Sequence, residues 1–284
     1  MIVDFHTHIF PSQVRDRRQE YLQRDATFAE MYAESRAKIV GADDLLRSMD
    51  EAGVDVSVAL GFAWGGQELC RLHNDYLLEA AAGSGRRIVP FCTVNPAAAG
   101  AEAEVERCAA AGARGLGELR PDSQGWELAD AAGDWLAGLA QKHGLIQLFH
   151  VTEPLGHQYP GKQGGGLAAF YEFVVRHPEV TTVGAHLAGG LPLYASMPEV
   201  VDSLAHLHLD TAAQPLLYDR AVYGELSRHL GAERLLLGSD YPLIEQGRQI
   251  GEIRSGVSDV DSQLLILGEN ARRLLGLGDD GGPG

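Results

Sequence analysis

Short apolar segments alternate with amphipathic stretches along the whole sequence, and this alternation is the feature that most restricts its fold. After the first unit, the pattern recurs at a spacing of roughly 25 to 35 residues. Alternating strand and helix signals predict a parallel sheet, because parallel strands need helical crossovers between them. The predicted strands are Ile2–Phe5, Asp55–Leu60, Arg87–Thr93, Ala113–Leu119, Leu145–Val151, Thr181–His186, Ala205–Asp210 and Arg234–Gly238.

The stretches between the strands carry helix signals. In Asp43–Ala52, an aspartate can cap the start, leucine and methionine follow at helical spacing, and Gly53 can end the helix. The polar segment from Phe10 to Gly41 is too long for a simple loop, so we expect a helical insertion after the first strand, over Gln13–Gln23 and Ala26–Ile39. The other predicted helices are Gln67–Ala82, Ala101–Ala111, Leu128–His143, Leu167–His177, Arg220–Leu230 and Asn270–Leu275.

The number of repeats decides between two parallel-sheet architectures. Eight strand–helix units in 284 residues favour a closed barrel over an open sheet. No glycine fingerprint of a dinucleotide-binding fold follows the first strand, which also argues against the open sheet. The predicted fold class is therefore α/β, a single-domain (β/α)8 TIM barrel over residues 1–277 with a helical insertion after strand one. A Gly-, Asp- and Pro-rich tail, residues 278–284, is expected to be disordered.

Charge and cysteine usage restrict the partners and the compartment. The formal net charge of −16 disfavours nucleic acid and anionic membranes, so a small molecule is the expected partner. The three cysteines, Cys70, Cys92 and Cys108, fit no disulfide or zinc-ribbon spacing and are expected to be reduced thiols. Without a visible secretion signal or an apolar run of roughly 18 residues, we expect a cytoplasmic protein.

Polar side chains follow several predicted strands, at the end of the barrel where active sites lie. His6 and His8 are two residues apart after strand one, so their imidazoles point to the same side. A set of further candidates occupies the ends of strands four to eight: Glu118 and Arg120, His150, His186, Asp210 and Asp240. Random placement would put most such residues on helix surfaces, so the pattern indicates a functional site.

Structural roles remain open for most of these residues. A histidine or aspartate at a strand end can be a hydrogen-bonded core residue or a helix cap, and Asp210 is compatible with a packing role. Glu118 could pair with Arg114 or Arg120, and Arg120 could instead pair with Asp122. Four histidines on helices are expected in surface or capping roles: His73, His143, His177 and His229.

A Gly- and Pro-rich loop follows His150 and contains His157 and Tyr159. Loops of this length at a barrel mouth usually shape a substrate pocket. His157 and Tyr159 are therefore candidate substrate contacts, although a plain loop role fits His157 equally well.

The combination of His6-x-His8, His150, His186 and Asp240 in this order resembles the amidohydrolase superfamily. The segments GAHLAGG at residues 184–190 and LGSDYP at residues 237–242 are similar to its amidohydrolase-2 branch. That branch contains hydrolases, lactonases and non-oxidative decarboxylases, and the resemblance runs from about residue 2 to about residue 275.

The resemblance implies a divalent metal, usually zinc, held by His6, His8, His150 and Asp240. It also implies that His186 is a ligand in relatives with two metals and a catalytic histidine in relatives with one. Many two-metal members carry a carboxylated lysine after strand four, where this chain has Glu118. A similar glutamate binds metal in TatD-like deoxyribonucleases, so one or two ions remain open.

The chemistry of this ligand set agrees with a catalytic site. Three imidazoles and one carboxylate leave a coordination position open for water, whose pKa a metal lowers towards about 7. Asp240 could take the proton as a general base, and His186 could polarise a carbonyl group. Arg120 could pair with a substrate carboxylate. The main hypothesis is a metal-dependent hydrolase of a small, optionally carboxylated amide, lactone or ester.

Three alternatives remain. A non-oxidative decarboxylase would use the same metal site, because ligand identity does not separate the two reactions. A two-metal phosphoesterase or deoxyribonuclease is compatible with Glu118, although the net charge disfavours a polynucleotide substrate. An inactive binding barrel is disfavoured by the full set of candidate ligands. Barrel enzymes of this kind often form dimers, but the sequence marks no interface.

Overall fold

The computed structural model describes residues 1–162 and 166–278, so most of the expected disordered tail lies outside the described residues. Within them, eight parallel strands form one sheet in sequence order, which confirms the (β/α)8 barrel. Backbone hydrogen bonds from Phe5 N to Leu237 O (2.7 Å) and from Asp240 N to His6 O (2.9 Å) close the last strand onto the first. The strands are β1 (Val3–His8), β2 (Val56–Leu60), β3 (Ile88–Cys92), β4 (Gly115–Leu119), β5 (Ile146–Phe149), β6 (Thr182–Gly184), β7 (Leu207–Asp210) and β8 (Leu235–Leu236).

Helices pack around the barrel, and all the predicted ones occur, most of them with shifted ends and Asn270–Leu275 with the predicted ends. Short additional helices and the helix Gln246–Gly256 were not expected from the sequence. None of the helices in residues 1–162 and 166–278 is long and apolar enough to cross a membrane. The helices are α1 (Ser12–Asp16), α2 (Arg18–Arg24), α3 (Ala26–Tyr32), α4 (Ala42–Ala52), α5 (Gln67–Gly83), α6 (Ala101–Ala110), α7 (Pro121–Gln124), α8 (Ala131–His143), α9 (Gly166–Arg176), α10 (Pro198–Ser203), α11 (Gln214–Leu217), α12 (Val222–Leu230), α13 (Gln246–Gly256), α14 (Val260–Leu264) and α15 (Asn270–Leu275).

Alternate strand residues fill the barrel interior, including Val3 and Phe5 of β1 with Val58 of β2 and Leu148 of β5. In β1 the pairing register shifts between Asp4 and Thr7. Such a bulge changes which side chains point inward. Because of this shift, Phe5 points into the barrel interior. His6 and His8, further along the same strand, can still point towards the barrel mouth.

The predicted insertion is present as α1, α2 and α3, which pack their apolar residues against Phe62 and Trp64 after β2. The second predicted helix ends at Tyr32 instead of Ile39. Arg18 explains this end, because its guanidinium donates to the backbone oxygens of Tyr32 and Glu34, and to that of Ser35 at 3.4 Å. The carbonyl groups at the helix end are thereby satisfied without further helical turns.

The surface or capping role expected for His73 is wrong, because its side chain is fully buried under the insertion. Its Nδ1 accepts hydrogen bonds from Phe62 N (3.2 Å) and Trp64 Nε1 (3.1 Å), and its Nε2 donates to Ile9 O at 2.7 Å. Burial lowers the pKa of His73 to about 4, so the ring stays neutral and can both donate and accept. The three cysteines are free and buried, as expected for reduced thiols.

Arg86→Gly is expected to stabilise the protein by about 0.5 to 1 kcal/mol. Arg86 is exposed between α5 and β3 with a φ of 73°, a conformation that costs a non-glycine residue about 1 to 2 kcal/mol. The greater freedom of glycine in the unfolded chain offsets part of that gain. Urea denaturation measures the difference. Arg71→Gly, at an exposed position of α5, is the matched control and should lose about 1 kcal/mol.

Candidate metal centre

A cavity of about 460 Å³ lies at the carboxyl ends of the strands. Its floor carries site residues from β1, β4, β5, β6 and β8. Its walls include Tyr32 from the end of α3, Phe62 after β2, Leu217 of α11 and Pro242 after β8. A concave, largely apolar site with a few converging polar groups is the usual form of a small-molecule site.

The two histidines of β1 face each other at one end of the cavity. Their Nε2 atoms are 3.1 Å apart. Glu118 Oε2 lies 3.8 Å from His6 Nε2 and 3.5 Å from His8 Nε2, and Asp240 Oδ1 lies 3.7 Å and 3.5 Å from the same two atoms. Two imidazole nitrogens and two carboxylate oxygens therefore converge on a small volume.

The second oxygen of Glu118 faces the other two histidines. Glu118 Oε1 lies 2.8 Å from His150 Nδ1 and 3.3 Å from His186 Nε2, and these two nitrogens are 3.2 Å apart. Ligand atoms within 4.8 Å of one another form three groups: His6, His186 and Asp240; His6, His8 and Glu118; Glu118, His150 and His186. The structure thus brings together all six residues predicted as metal ligands, with Glu118 between two pairs of histidines. That they bind a metal remains a prediction.

Hydrogen bonds on the outer side of the rings orient three of these histidines. His6 Nδ1 donates to Asp210 Oδ2 (2.7 Å), His150 Nε2 to Gly161 O (2.9 Å) and His186 Nδ1 to Ala212 O (3.2 Å). A neutral imidazole that donates from one nitrogen presents a lone pair on the other. Outer acceptors of this kind are typical of metal-binding histidines.

The ligand types and their orientation therefore fit a divalent cation. Among the described residues, the buried His8 Nδ1 is the one outer nitrogen of the four rings without a hydrogen-bond partner.

Opposing charges dominate the electrostatics of this cluster. Burial alone would lower the pKa of His6, but Asp210, Glu118 and Asp240 outweigh it and raise the pKa to about 10. Burial would also lower the pKa of His186, but Glu118 and Asp240 outweigh it and raise this pKa to about 9. Burial would raise the pKa of Glu118, but His150 and His6 hold it well below its usual value. In the metal-free state the imidazoles of His6 and His186 therefore hold protons that balance the carboxylates.

We expect metal binding to release protons and to strengthen as pH rises. His6 and His186, with raised pKa values, stabilise the metal-free protein fully below their ordinary pKa of 6.5. This contribution is lost as pH rises through about 9 to 10. A cation must displace these protons, so its apparent affinity should increase from about pH 6 to about pH 9. Calorimetry in buffers of different ionisation enthalpy measures the release, and a pH-independent affinity would contradict it.

The backbone that carries His186 is unusual. His186, Leu187 and Ala188 have φ values of 55°, 56° and 48°, and two glycines continue the left-handed turn. This conformation is unfavourable for non-glycine residues and persists only where the surroundings stabilise it. Asp210 does so, because its Oδ1 accepts from His186 N and Ala212 N, both at 3.0 Å.

Asp210 therefore supports both His6 and the turn at His186. From the sequence alone, a packing role for Asp210 is equally compatible. Its place at the end of β7 was the one signal that pointed to the site.

The predicted substrate contacts occupy different positions. His157 and Tyr159 line the cavity. Arg120 does not belong to its lining, because it is buried behind the wall, with NH1 2.9 Å from Glu30 Oε2 and Nε 3.7 Å from Asp122 Oδ1. The contact between Arg120 and a substrate carboxylate therefore stays a prediction, whereas its ion pair with Asp122 is present at 3.7 Å. Cations in the lining come instead from the insertion, as Arg36 and Lys38.

The barrel and the clustered histidines and carboxylates define a protein with a candidate metal centre at its strand ends. The chain belongs to the amidohydrolase family, whose model Amidohydro_2 matches residues 3–277. No curated protein matches the sequence.

Solved structures share the fold at low identity. A 5-carboxyvanillate decarboxylase from Sphingomonas paucimobilis is 18% identical with a TM-score of 0.78, covering 96% of this chain and 98% of that one. A dihydroxybenzoic acid decarboxylase from Polaromonas sp. JS666, with bound manganese and the inhibitor 2-nitroresorcinol, is 17% identical with a TM-score of 0.71, covering 96% of each chain. A probable 2-pyrone-4,6-dicarboxylic acid hydrolase from Acinetobacter baumannii is 16% identical with a TM-score of 0.67, covering 97% and 99%.

Proposed function

We propose that the protein is a metal-dependent, non-oxidative decarboxylase of a small aromatic carboxylic acid. The observation that carries this proposal is the composition of the cavity, in which the candidate ligands occupy one end and apolar side chains with two cations form much of the rest. The resemblance to decarboxylase structures over nearly the whole chain favours this reaction over the hydrolysis expected from the sequence.

The cavity suits an aromatic acid in size and in chemistry. Its volume of about 460 Å³ falls within the usual range for small-molecule sites. Tyr32 and Phe62 offer ring faces, with their centroids 5.8 Å apart and their planes at 64°. Arg36 and Lys38 lie in the wall that the insertion forms, where Glu34 (3.9 Å) and Glu245 (2.8 Å) pair with them, and a substrate carboxylate would compete for these cations. An aromatic ring would lie between apolar walls while its acidic group meets the polar end.

A divalent cation held by His6, His8, Glu118, His150 and Asp240 would stabilise negative charge on the oxygen atoms of the substrate. The protein must also deliver a proton to the carbon that loses CO₂. Asp240 suits this task, because its carboxylate lines the cavity and is 14% exposed. A carboxyl group in contact with both solvent and substrate can take up a proton and pass it on.

The protein's own side chains would position the acid. Phe62 and Tyr32 pack in an aromatic cluster with Phe10 and Phe28, which makes this wall rigid. His186, at the polar end, presents Nε2 towards the cavity while Ala212 O holds its Nδ1. We infer that His186 donates a hydrogen bond to a substrate oxygen. This contact keeps the aromatic ring of the acid positioned for proton transfer from Asp240.

Product analysis tests the proposal. Protein loaded with Mn²⁺ or Zn²⁺ is incubated with a panel of hydroxylated benzoic acids and, separately, with lactones and amides of similar size. CO₂ release, together with the decarboxylated ring, is the expected result. His6→Ala is the inactive control. Ring-opened lactone or cleaved amide without CO₂ would instead support the hydrolase reading. Failure to bind either metal, with no product from any substrate, would contradict both.

A further inference from the structure

The insertion reaches His150 through a chain of two hydrogen bonds. Glu30, on α3, accepts a hydrogen bond from Gly161 N through Oε1 at 3.0 Å. Gly161 O in turn accepts from His150 Nε2 at 2.9 Å. The opposite ring nitrogen, His150 Nδ1, faces Glu118 and His186 in the centre of the site. The orientation of His150 therefore depends on where Gly161 is held.

Arg120 fixes Glu30 in this position. Its NH1 lies 2.9 Å from Glu30 Oε2, and its NH2 donates to Oε1 at 3.2 Å. The guanidinium thus contacts both oxygens of the carboxylate, one through a hydrogen bond and one through an ion pair, and this restrains the position of Glu30. Arg120 is only 3% exposed, and a buried guanidinium without an anion is strongly unfavourable. The pair thus anchors α3 to the loop after β4.

The loop at Gly161 is shaped for a close approach. Gly161 has a φ of 93°, which disfavours any other residue. A Cβ atom at this position would lie 2.9 Å from Met31 Sδ of α3 and 3.8 Å from His150 Nε2. The backbone therefore passes close to both Met31 of α3 and the imidazole of His150, and both hydrogen bonds form across this narrow passage.

We propose that Glu30, held by Arg120, is a positioning residue that orients His150 for metal binding. Through Gly161 it fixes the acceptor that takes the Nε2 proton of His150, so that the Nδ1 lone pair points to the centre. The proposal rests on the metal site proposed above. It also assigns a role to Arg120 that does not involve the substrate. Glu30 and Tyr32 both lie in α3. This helix therefore forms part of the cavity wall through Tyr32 and orients the candidate ligand His150 through Glu30.

Metal affinity of the full chain tests the positioning role. In Glu30→Ala we expect the dissociation constant for Mn²⁺, measured by titration calorimetry, to rise roughly 10-fold or more. Glu30→Gln should show a smaller rise, because its amide oxygen can still accept from Gly161 N. Glu20→Ala, on α2 of the same insertion with its carboxylate paired to Arg17 and Arg24, is the matched control and should bind as the wild type does.

A double variant separates positioning from a loss of folding. Glu30→Ala leaves Arg120 without its main anion, so Glu30→Ala combined with Arg120→Met removes the unpaired charge. If this variant melts like the wild type but still binds Mn²⁺ weakly, the positioning role is supported. Recovery of wild-type affinity in the double variant would overturn it.

Hydrogen exchange of the metal-free protein provides a readout that is independent of the metal. Peptides that contain Gly161 should exchange faster in Glu30→Ala than in the wild type, and Glu20→Ala should leave them unchanged. Wild-type protein that binds neither Mn²⁺ nor Zn²⁺ would contradict the proposed function, and exchange alone would then decide whether Glu30 holds Gly161. Unchanged affinity in Glu30→Ala overturns the positioning role, whether or not exchange increases.

Discussion

Asp240→Asn is expected to lower the decarboxylation rate by about a thousandfold. The carboxylate of Asp240 lies 3.5 Å from His8 Nε2 and 3.7 Å from His6 Nε2 and also lines the cavity. Asparagine keeps the shape of the side chain but has neither the negative charge nor the ability to carry the proton. Steady-state kinetics with the best acid of the panel measures the effect.

Metal analysis of the same variant separates the two roles of Asp240. If Asp240→Asn retains metal while the rate falls, proton transfer is the dominant role; if metal and rate fall together, the ligand role dominates. Asp261→Asn, at an exposed position of α14, is the control and should leave both unchanged. A rate within about tenfold of the wild type would exclude Asp240 as the proton carrier.

Asp210→Asn is expected to weaken metal binding by about 10- to 100-fold. The buried carboxylate accepts three hydrogen bonds, from His6 Nδ1 at Oδ2 and from His186 N and Ala212 N at Oδ1. Asparagine has a single acceptor oxygen, so it cannot serve both sides. If its amide group faces His6, the ring must accept at Nδ1 and turn its Nε2 proton towards the metal centre.

A second aspartate–histidine pair on the surface provides the control for Asp210→Asn. Asp134 Oδ1 accepts from His177 Nε2 at 2.8 Å, and Asp134 is half exposed. Asp134→Asn should leave metal affinity unchanged and change the melting temperature little, because exposed ion pairs contribute little to stability. Metal titration and thermal melting of Asp210→Asn and of Asp134→Asn test these expectations. A folded Asp210→Asn protein with wild-type affinity would show that His6 needs no fixed tautomer.

The sequence predicts the barrel well because its strands are continuous apolar runs between turn signals. Strand ends are less predictable, since they depend on partners far along the chain. The eighth strand was expected to run to Gly238 but ends at Leu236, because Leu237 N donates to Ile266 O at 2.9 Å instead of continuing the ladder with β7.

Helix α13 was missed because glutamines occupy part of its buried face. Gln246 and Gln249 bond there to Asp4 and Thr211.

For the site as well, features set by the topology were predictable, whereas features set by contacts between distant residues were not. The six candidate ligands were predictable because the topology alone brings strand ends together. Glu30 and Asp210 gain their roles from contacts that no local pattern encodes. Glu30 meets Arg120 across 90 residues of sequence, and Asp210 meets His6 across 204. The location of Arg120 after β4 suggested the cavity, but the insertion supplies a carboxylate that draws its side chain into the wall.

The left-handed turn at His186 has a consequence for attempts to change the substrate. A Cβ atom added at Gly184 would lie 2.5 Å from Ala188 Cβ, and one at Gly189 would lie 2.6 Å from Thr152 O. Randomised libraries that include residues 184–190 should therefore yield mostly misfolded protein. Two leucines of the cavity lining offer freedom instead, because Leu216 and Leu243 are about half exposed. Diversity placed at these two positions should alter selectivity while leaving the metal centre intact.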